Sequence, residues 1–405
     1  MRGRHLAGIF LALTAALVAA AVAADDVEEF LRRHWLAPIA PQGSPPARFS
    51  EVEASLQPEA CGTCHPTQYA DWRTSGHAAA MGPGVRGQLV EMFGSDPVQA
   101  LSCFGCHAPL AEQAPLVRED ARFRPNPAFD AALLDKGVAC AGCHVRAHER
   151  FGPLRRDGSR QSTAPRQTLP HEGATRTAAF LRSEFCRNCH QFSAGGFALN
   201  GKLLEDTYNE WKASRFAREG VQCQDCHMPD RRHLWRGIHD PEMVRSGLTV
   251  SVSPEAPRVR PGETVSVTLS VESTRVGHAF PTYVTPRVVL RAELFDAAGA
   301  PVPASRQERV IGREVTLDLA REIADTRLGP GQRASLVYRR RIDQRGLALR
   351  LSVVVEPDAF YTRFFETMLA QGQAGRGAGE IREALEATRR SPFTVFEREL
   401  ALTPR

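Results

Sequence analysis

All ten cysteines of this 405-residue chain fall in five copies of one pattern, C-x-x-C-H, and none is left over. The copies are Cys61-Gly-Thr-Cys64-His65, Cys103-Phe-Gly-Cys106-His107, Cys140-Ala-Gly-Cys143-His144, Cys186-Arg-Asn-Cys189-His190 and Cys223-Gln-Asp-Cys226-His227. Zinc sites and disulfide frameworks also use closely spaced cysteines, but neither requires a histidine directly after every second one. Covalent haem attachment does. Two thiols three residues apart add across the vinyl groups of one porphyrin, and the next residue is held beneath the iron as an axial ligand. The pattern therefore predicts five covalently bound haem c groups, with His65, His107, His144, His190 and His227 as the proximal ligands. It bounds function as well as fold, because haem chemistry is carried by the iron while the chain sets ligation, polarity and access.

The N-terminus fits such a cofactor. Arg2 and Arg4 precede an apolar run from Leu6 to Ala20, and Ala21-Val-Ala23-Ala24 stands before Asp25, Asp26, Glu28 and Glu29. A basic start, a short apolar stretch and an A-x-A site predict a secretory signal peptide over residues 1–24. The run is shorter than the about 20 residues that a spanning helix needs. The mature chain is expected in the periplasm, where c-type haem is attached, or passed on to the cell surface, and not to span the membrane.

About 380 residues then remain, room for two or three domains. The net charge is only +5, and three of the 51 cations are lysine: Lys136, Lys202 and Lys212. Dispersed basic residues and few aromatics exclude nucleic acid as a partner. The arginines suit bidentate pairing with carboxylates such as haem propionates. Proximal histidines follow one another at steps of 42, 37, 46 and 37 residues, enough for one or two helices per haem. Helices are expected at 66–81, 87–93, 128–135, 178–188 and 205–219, with loops at 121–127 and 152–170. From Leu248 the apolar period becomes two: Val265, Val267, Leu269 and Val271, then Val288, Leu290, Ala292 and Leu294. The expected fold is α+β and multidomain. A 25–60 segment leads into a helical, loop-rich pentahaem domain at 61–247. An antiparallel immunoglobulin-like β-sandwich follows at 248–356, then C-terminal helices at 358–369 and 380–389 and a last strand at 393–400 within 357–405.

The distal side of each iron is the sharper question. Of the 13 histidines, five are proximal and His5 lies in the signal peptide, leaving seven for five irons. Six are candidate distal ligands. His77 ends an aromatic-containing helix, and His171 precedes the fourth motif. His233 and His239, six apart, would serve different irons. His148, four residues after His144, shares that residue's helical face and would serve a neighbouring haem. His278 sits in Gly277-His278-Ala-Phe-Pro281, a turn between sandwich strands. His34 reads as a surface residue.

The stretch from Cys61 through Tyr69 and Trp72 to Ser75-Gly-His77-Ala resembles the opening haem unit of the multihaem cytochrome c-554 family, whose best-known members carry electrons from hydroxylamine oxidoreductase. Cys226-His227-Met228-Pro229 is similar to a late haem site in the wider group that includes pentahaem nitrite reductase. The sandwich with its Gly-His-Ala-Phe-Pro turn resembles C-terminal domains appended to some multihaem cytochromes. The resemblance spans roughly residues 60 to 240 and implies closely packed haem pairs, with His77 as a distal ligand. The chain departs from the carriers in having five motifs instead of four.

The first expectation is an electron carrier between redox proteins, such as other cytochromes or a membrane quinol-linked complex. A multihaem oxidoreductase of nitrogen or sulfur compounds is the alternative and needs one iron with an open position. No catalytic residue is assigned. Every motif ends in histidine, not the lysine typical of the catalytic haem in pentahaem nitrite reductases. None of Tyr69, Tyr208, Tyr283, Tyr338 and Tyr361 takes the cross-linking role seen in hydroxylamine oxidoreductases. A third reading makes the sandwich a docking module.

Overall fold

The computed structural model describes residues 26–36 and 38–403; the signal-peptide expectation and His5 lie outside them. The chain forms two compact units. One comprises residues up to Met81, Asp96–Cys189 and Gln222–Leu234, and the other Gly82–Ser95, His190–Val221 and Trp235–Arg405. The units thus interleave, where contiguous domains were expected at 61–247 and 248–356.

In the first unit the motifs sit on or at the end of short helices: Pro58–Cys64, Pro97–His107, Cys140–His144 and Cys223–His227 for the first, second, third and fifth. One helical turn puts residues i, i+3 and i+4 on a common face, which is what both cysteines and the histidine of a motif need. Local signals start these helices. Proline stands at the first turn of 58–64 and 97–107, and Asp96 accepts a hydrogen bond from Gln99 N. The fourth motif instead starts inside a 3₁₀ segment, Ser183–Asn188, which contains Cys186 and is capped at its end by Cys189.

Expected helices are shorter or absent in this unit. Residues 66–81 are helical only over Pro66–Trp72, and 178–188 forms two 3₁₀ segments. No helix forms at 128–135. There Leu133 N donates to Asp130 O and Leu134 N to Ala131 O, tight turns in place of the i to i−4 bonds of an α-helix, while the Gln113 side chain donates to the carbonyls of Leu133 and Gly137. Within the expected loop at 121–127, Arg122–Pro125 pairs with Leu116–Glu119 as a hairpin.

The second unit is built on a two-sheet antiparallel sandwich, as the period-two pattern predicts. One sheet has five strands in the order Glu322–Asp325, Gln307–Val315, Arg287–Phe295, Ala348–Glu356, Phe393–Ala401. The other has three: Arg333–Arg341, Thr264–Ser273, Leu248–Ser253. Val267, Leu269 and Val271 of one sheet and Val288, Leu290, Leu349 and Val353 of the other share one buried core. The strands at 307–315 and 322–325 were not expected, because Glu308, Arg309, Arg313 and Glu314 break the alternation.

Arg313 is nonetheless buried. It pairs with Glu322 at 2.9 Å and donates to the carbonyls of Leu199, Lys202 and Leu203, which ties the 198–203 hairpin to this sheet. Burial pushes the Glu322 carboxyl up, but hydrogen bonds from Lys202, Asn200 and Arg313 outweigh it and hold it below the ordinary range. Its stabilising contribution is therefore complete above the ordinary carboxylate value and lost as pH falls through the lower folded value. Glu322→Gln is expected to cost about 2 kcal/mol at pH 7, a deficit that shrinks below about pH 4. Thermal denaturation at the two pH values checks this, and a deficit independent of pH would contradict it.

Helices Ala359–Ala370 and Ala378–Arg390 also belong to this unit, joined by Pro83–Ser95. A Cβ on Gly377 would lie 2.0 Å from Gly87 O, so this crossing requires glycine. Glu91 reinforces it by accepting from Arg376 N and Nε at 2.8 and 3.0 Å. The helix expected at 87–93 is thus present but packs with the C-terminal helices. Among the described residues no helix is long and apolar enough to cross a membrane.

Candidate functional site

None of the ten cysteines is disulfide-bonded. In the first unit they meet across motifs. The side chains of Cys61 and Cys140 are hydrogen-bonded, as are those of Cys106 and Cys189 and those of Cys186 and Cys223. Cys189 Sγ also lies 3.9 Å from Gly105 O in the second motif. Cys143 is near enough to both Cys186 and Cys189 for its charge to act on them. Hydrogen bonds therefore join the first motif to the third and the fourth to both the second and the fifth, and Cys143 brings the third within range of the fourth.

The proximal imidazoles are oriented by their Nδ1 atoms. His107 Nδ1 lies 2.6 Å from Ala80 O, and His144 Nδ1 lies 2.8 Å from Phe151 O. In the second unit, His190 Nδ1 lies 2.7 Å from the Tyr283 hydroxyl. An Nδ1–H donated to oxygen fixes the tautomer and leaves Nε2 with its lone pair for a metal. Burial lowers the pKa of His144 to about 4, so the ring is neutral, as a ligand must be.

Three expected distal histidines repeat this pattern. Nδ1 of His171 is 2.9 Å from Gly173 O, that of His233 is 3.1 Å from Arg231 O, and that of His278 is 2.9 Å from Ala279 O. Each ring therefore turns Nε2 away from its own loop. Two of them lie beside proximal rings: His65 and His171 have centroids 6.5 Å apart, and His144 and His233 6.2 Å apart. Two imidazoles on one metal, with bonds of about 2.0 Å and about 1.1 Å from nitrogen to ring centre, stand about 6.2 Å apart. Both pairs fit an iron held between them.

Carboxylates that sequence reasoning missed hold the backbone of both of these histidines. His171 N donates to Glu53 Oε1 at 2.7 Å, and His171 itself has φ +40. His233 N donates to Asp71 Oδ2 at 3.0 Å, while Arg232 binds both Asp71 oxygens at 2.6 and 2.7 Å. The visible signal was Ser50-x-x-Glu53, a capping box that starts the Glu51–Ala54 helix. His77 is half-buried, and its carbonyl accepts from Val138 N at 2.9 Å, just before the third motif. Gly137, at φ +58, allows that approach, since a Cβ there would lie 2.3 Å from His77 O.

The other candidates are engaged through Nε2, the atom a distal ligand would need. His148 Nε2 lies 2.9 Å from Gly43 O, and His239 Nε2 lies 3.0 and 3.1 Å from the two Asp358 oxygens. His148 sits after the helix, at φ +60, so the same-face argument from His144 does not apply. His34 is not a surface residue. It is 3% exposed among Phe30, Trp35, Phe151, Phe180 and Phe185, with Nε2 2.9 Å from Cys143 O. Its helix at 26–34 packs on the third motif, which an isolated histidine in a polar stretch does not reveal.

Buried donors also match haem chemistry. Arg146 Nη2 and Arg155 Nε have no partner among the described residues, and buried guanidinium groups of this kind suit anionic propionates.

Comparison with known proteins points to multihaem cytochromes. The profile of the family "Cytochrome c554 and c-prime" matches residues 60–126 and 139–228, which contain all five motifs. Cytochrome c-552 of Aliarcobacter butzleri is 27% identical over 218 residues, 51% of this chain and 39% of that protein. Cytochrome c-554 of Nitrosomonas europaea is 26% identical over 138 residues, 32% of this chain and 54% of that protein. The chain thus aligns with only about two fifths and half of these relatives. The crystal structure of a penta-heme cytochrome c552 from Thermochromatium tepidum shares the fold, with a TM-score of 0.57 and 17% identity over 86% of this chain and 99% of that one.

Proposed function

Because the chain is a multihaem c-type cytochrome, with the cytochrome c554 likeness spanning its five motifs, we propose that it is an exported pentahaem electron carrier between redox proteins. The haems supply one-electron chemistry; the chain holds them near one another and fills their axial positions. The observation that carries this reading is the set of hydrogen bonds that pair motif cysteines, with Cys143 of the third motif close enough for its charge to act on Cys186 and Cys189 of the fourth. A thioether sulfur is bonded to a substituent of its porphyrin rim, so sulfurs that meet bring two rims close together. The series runs first, third, fourth, fifth, with the second attached to the fourth. Electron tunnelling falls steeply with distance, and such contacts favour it. Cys64 and Cys226, in the first and fifth motifs, are the exposed cysteines, which makes the two ends of the series the places where partners exchange electrons.

The proposed axial pairs are His65 with His171 and His144 with His233. His77 and His278 serve two of the remaining irons, and His148 and His239 are not ligands. That assignment uses four distal histidines for five irons, where the sequence offered seven. The shortfall favours a second reading, in which one iron lacking a distal histidine binds a small nitrogen or sulfur compound.

Electron paramagnetic resonance of the oxidised protein, with haem count by mass, tests both. The carrier reading expects five haems and at least four low-spin irons. A fifth high-spin iron that binds nitrite or hydroxylamine and turns it over would replace it with the oxidoreductase reading. Fewer than four low-spin irons would refute the axial assignment.

A further inference from the structure

His190 differs from the other proximal histidines in what receives its Nδ1–H. His107 and His144 point theirs at neutral backbone carbonyls of Ala80 and Phe151. His190 instead meets the Tyr283 hydroxyl at 2.7 Å. That hydroxyl is also hydrogen-bonded to the side chains of Glu205 and Thr207. Thr207 Oγ1 is in turn 2.7 Å from Thr282 Oγ1, and Tyr208 N donates to His190 O.

The donors and acceptors allow one consistent arrangement. A carboxylate only accepts, so the Tyr283 O–H donates to Glu205. The phenol oxygen is then left to accept the His190 Nδ1–H, and Nε2 carries the lone pair. A hydroxyl already donating to an anion is a stronger acceptor than an isolated one, because hydrogen bonds in series polarise one another. The imidazole behind it gains electron density, and a more basic axial ligand favours the oxidised iron.

Tyr283 is placed for this by the sandwich unit. It follows the Gly277-His278-Ala-Phe-Pro281 turn and takes φ +64, a conformation that a non-glycine residue adopts only under strain. The strained residue and the two side chains behind it converge on one ligand.

We propose that Tyr283, backed by Glu205, is a positioning residue that orients His190 and lowers the potential of the fourth haem relative to a carbonyl-anchored one. The sandwich then tunes the haem at which the series branches, a role distinct from partner docking and from ligation by His278. The inference rests on the pentahaem reading above.

The test is a spectroelectrochemical titration of Tyr283→Phe and Glu205→Gln, each first shown by mass to carry five haems. Glu205→Gln keeps size and hydrogen-bonding shape, and so remains informative if Tyr283→Phe folds poorly. The expected result is that one of five midpoint potentials moves upward in both variants. The same haem's low-spin g-values should shift, while the other four potentials hold. Unmoved potentials in Glu205→Gln and in any folded Tyr283→Phe would overturn the inference, as would a uniform shift of all five, which marks a merely structural effect. A parent protein with fewer than five haems would refute the pentahaem reading instead.

Discussion

Replacing His171 by alanine is expected to turn one of the five haems from low-spin to high-spin while all five stay covalently attached. His171 stands 6.5 Å from His65, ring centre to ring centre, and attachment uses only Cys61 and Cys64. Losing the distal imidazole therefore removes one ligand and no thioether. Electron paramagnetic resonance should show one high-spin signal appear as one low-spin signal disappears, and the freed iron should bind cyanide. His148→Ala and His239→Ala serve as controls and should leave the spectrum as it was, because their Nε2 atoms meet Gly43 and Asp358. An unchanged spectrum in His171→Ala would show that another group ligates the first iron.

Removing the fourth haem with Cys186→Ser and Cys189→Ser should have the largest effect on electron transfer. The second motif meets the fourth through Cys106 and Cys189, and the fifth meets it through Cys186 and Cys223. Losing the fourth attachment therefore removes the haem through which both are linked. The mass should fall by one haem. Stopped-flow reduction, one concerted phase in the parent, should split into phases with the isolated haems lagging. A single phase in the four-haem variant would mean that electrons cross elsewhere. Truncation at Leu248 is a poorer probe, because it also removes Arg313, which ties down the 198–203 hairpin.

Much of the second unit was legible before any coordinates. Alternation at 264–273 and 287–295 reports directly which side chains face a core, since strand side chains alternate between faces. The 307–315 strand escaped because its buried Arg313 is satisfied by Glu322 and three backbone carbonyls from a hairpin far away in sequence. The expected 128–135 helix gives way to tight turns, with Gln113, about twenty residues earlier in the chain, donating to the Leu133 and Gly137 carbonyls that end them. In both cases contacts from distant side chains accompany the departure from the local pattern.

Ligation divides along the same line. Thioether attachment and proximal binding depend on residues i, i+3 and i+4 of one turn, so the sequence by itself marked the ten cysteines and five histidines that this chemistry would use. A distal ligand is a meeting of segments. His171 reaches His65 because Glu53 holds its amide, and His233 reaches His144 because Asp71 and Arg232 clamp its loop. Histidine counts could not tell these from His34, His148 and His239, whose Nε2 atoms are taken by Cys143, Gly43 and Asp358. Only the tertiary structure decided that, because the direction of a ring nitrogen is set by whatever the fold brings to its other edge.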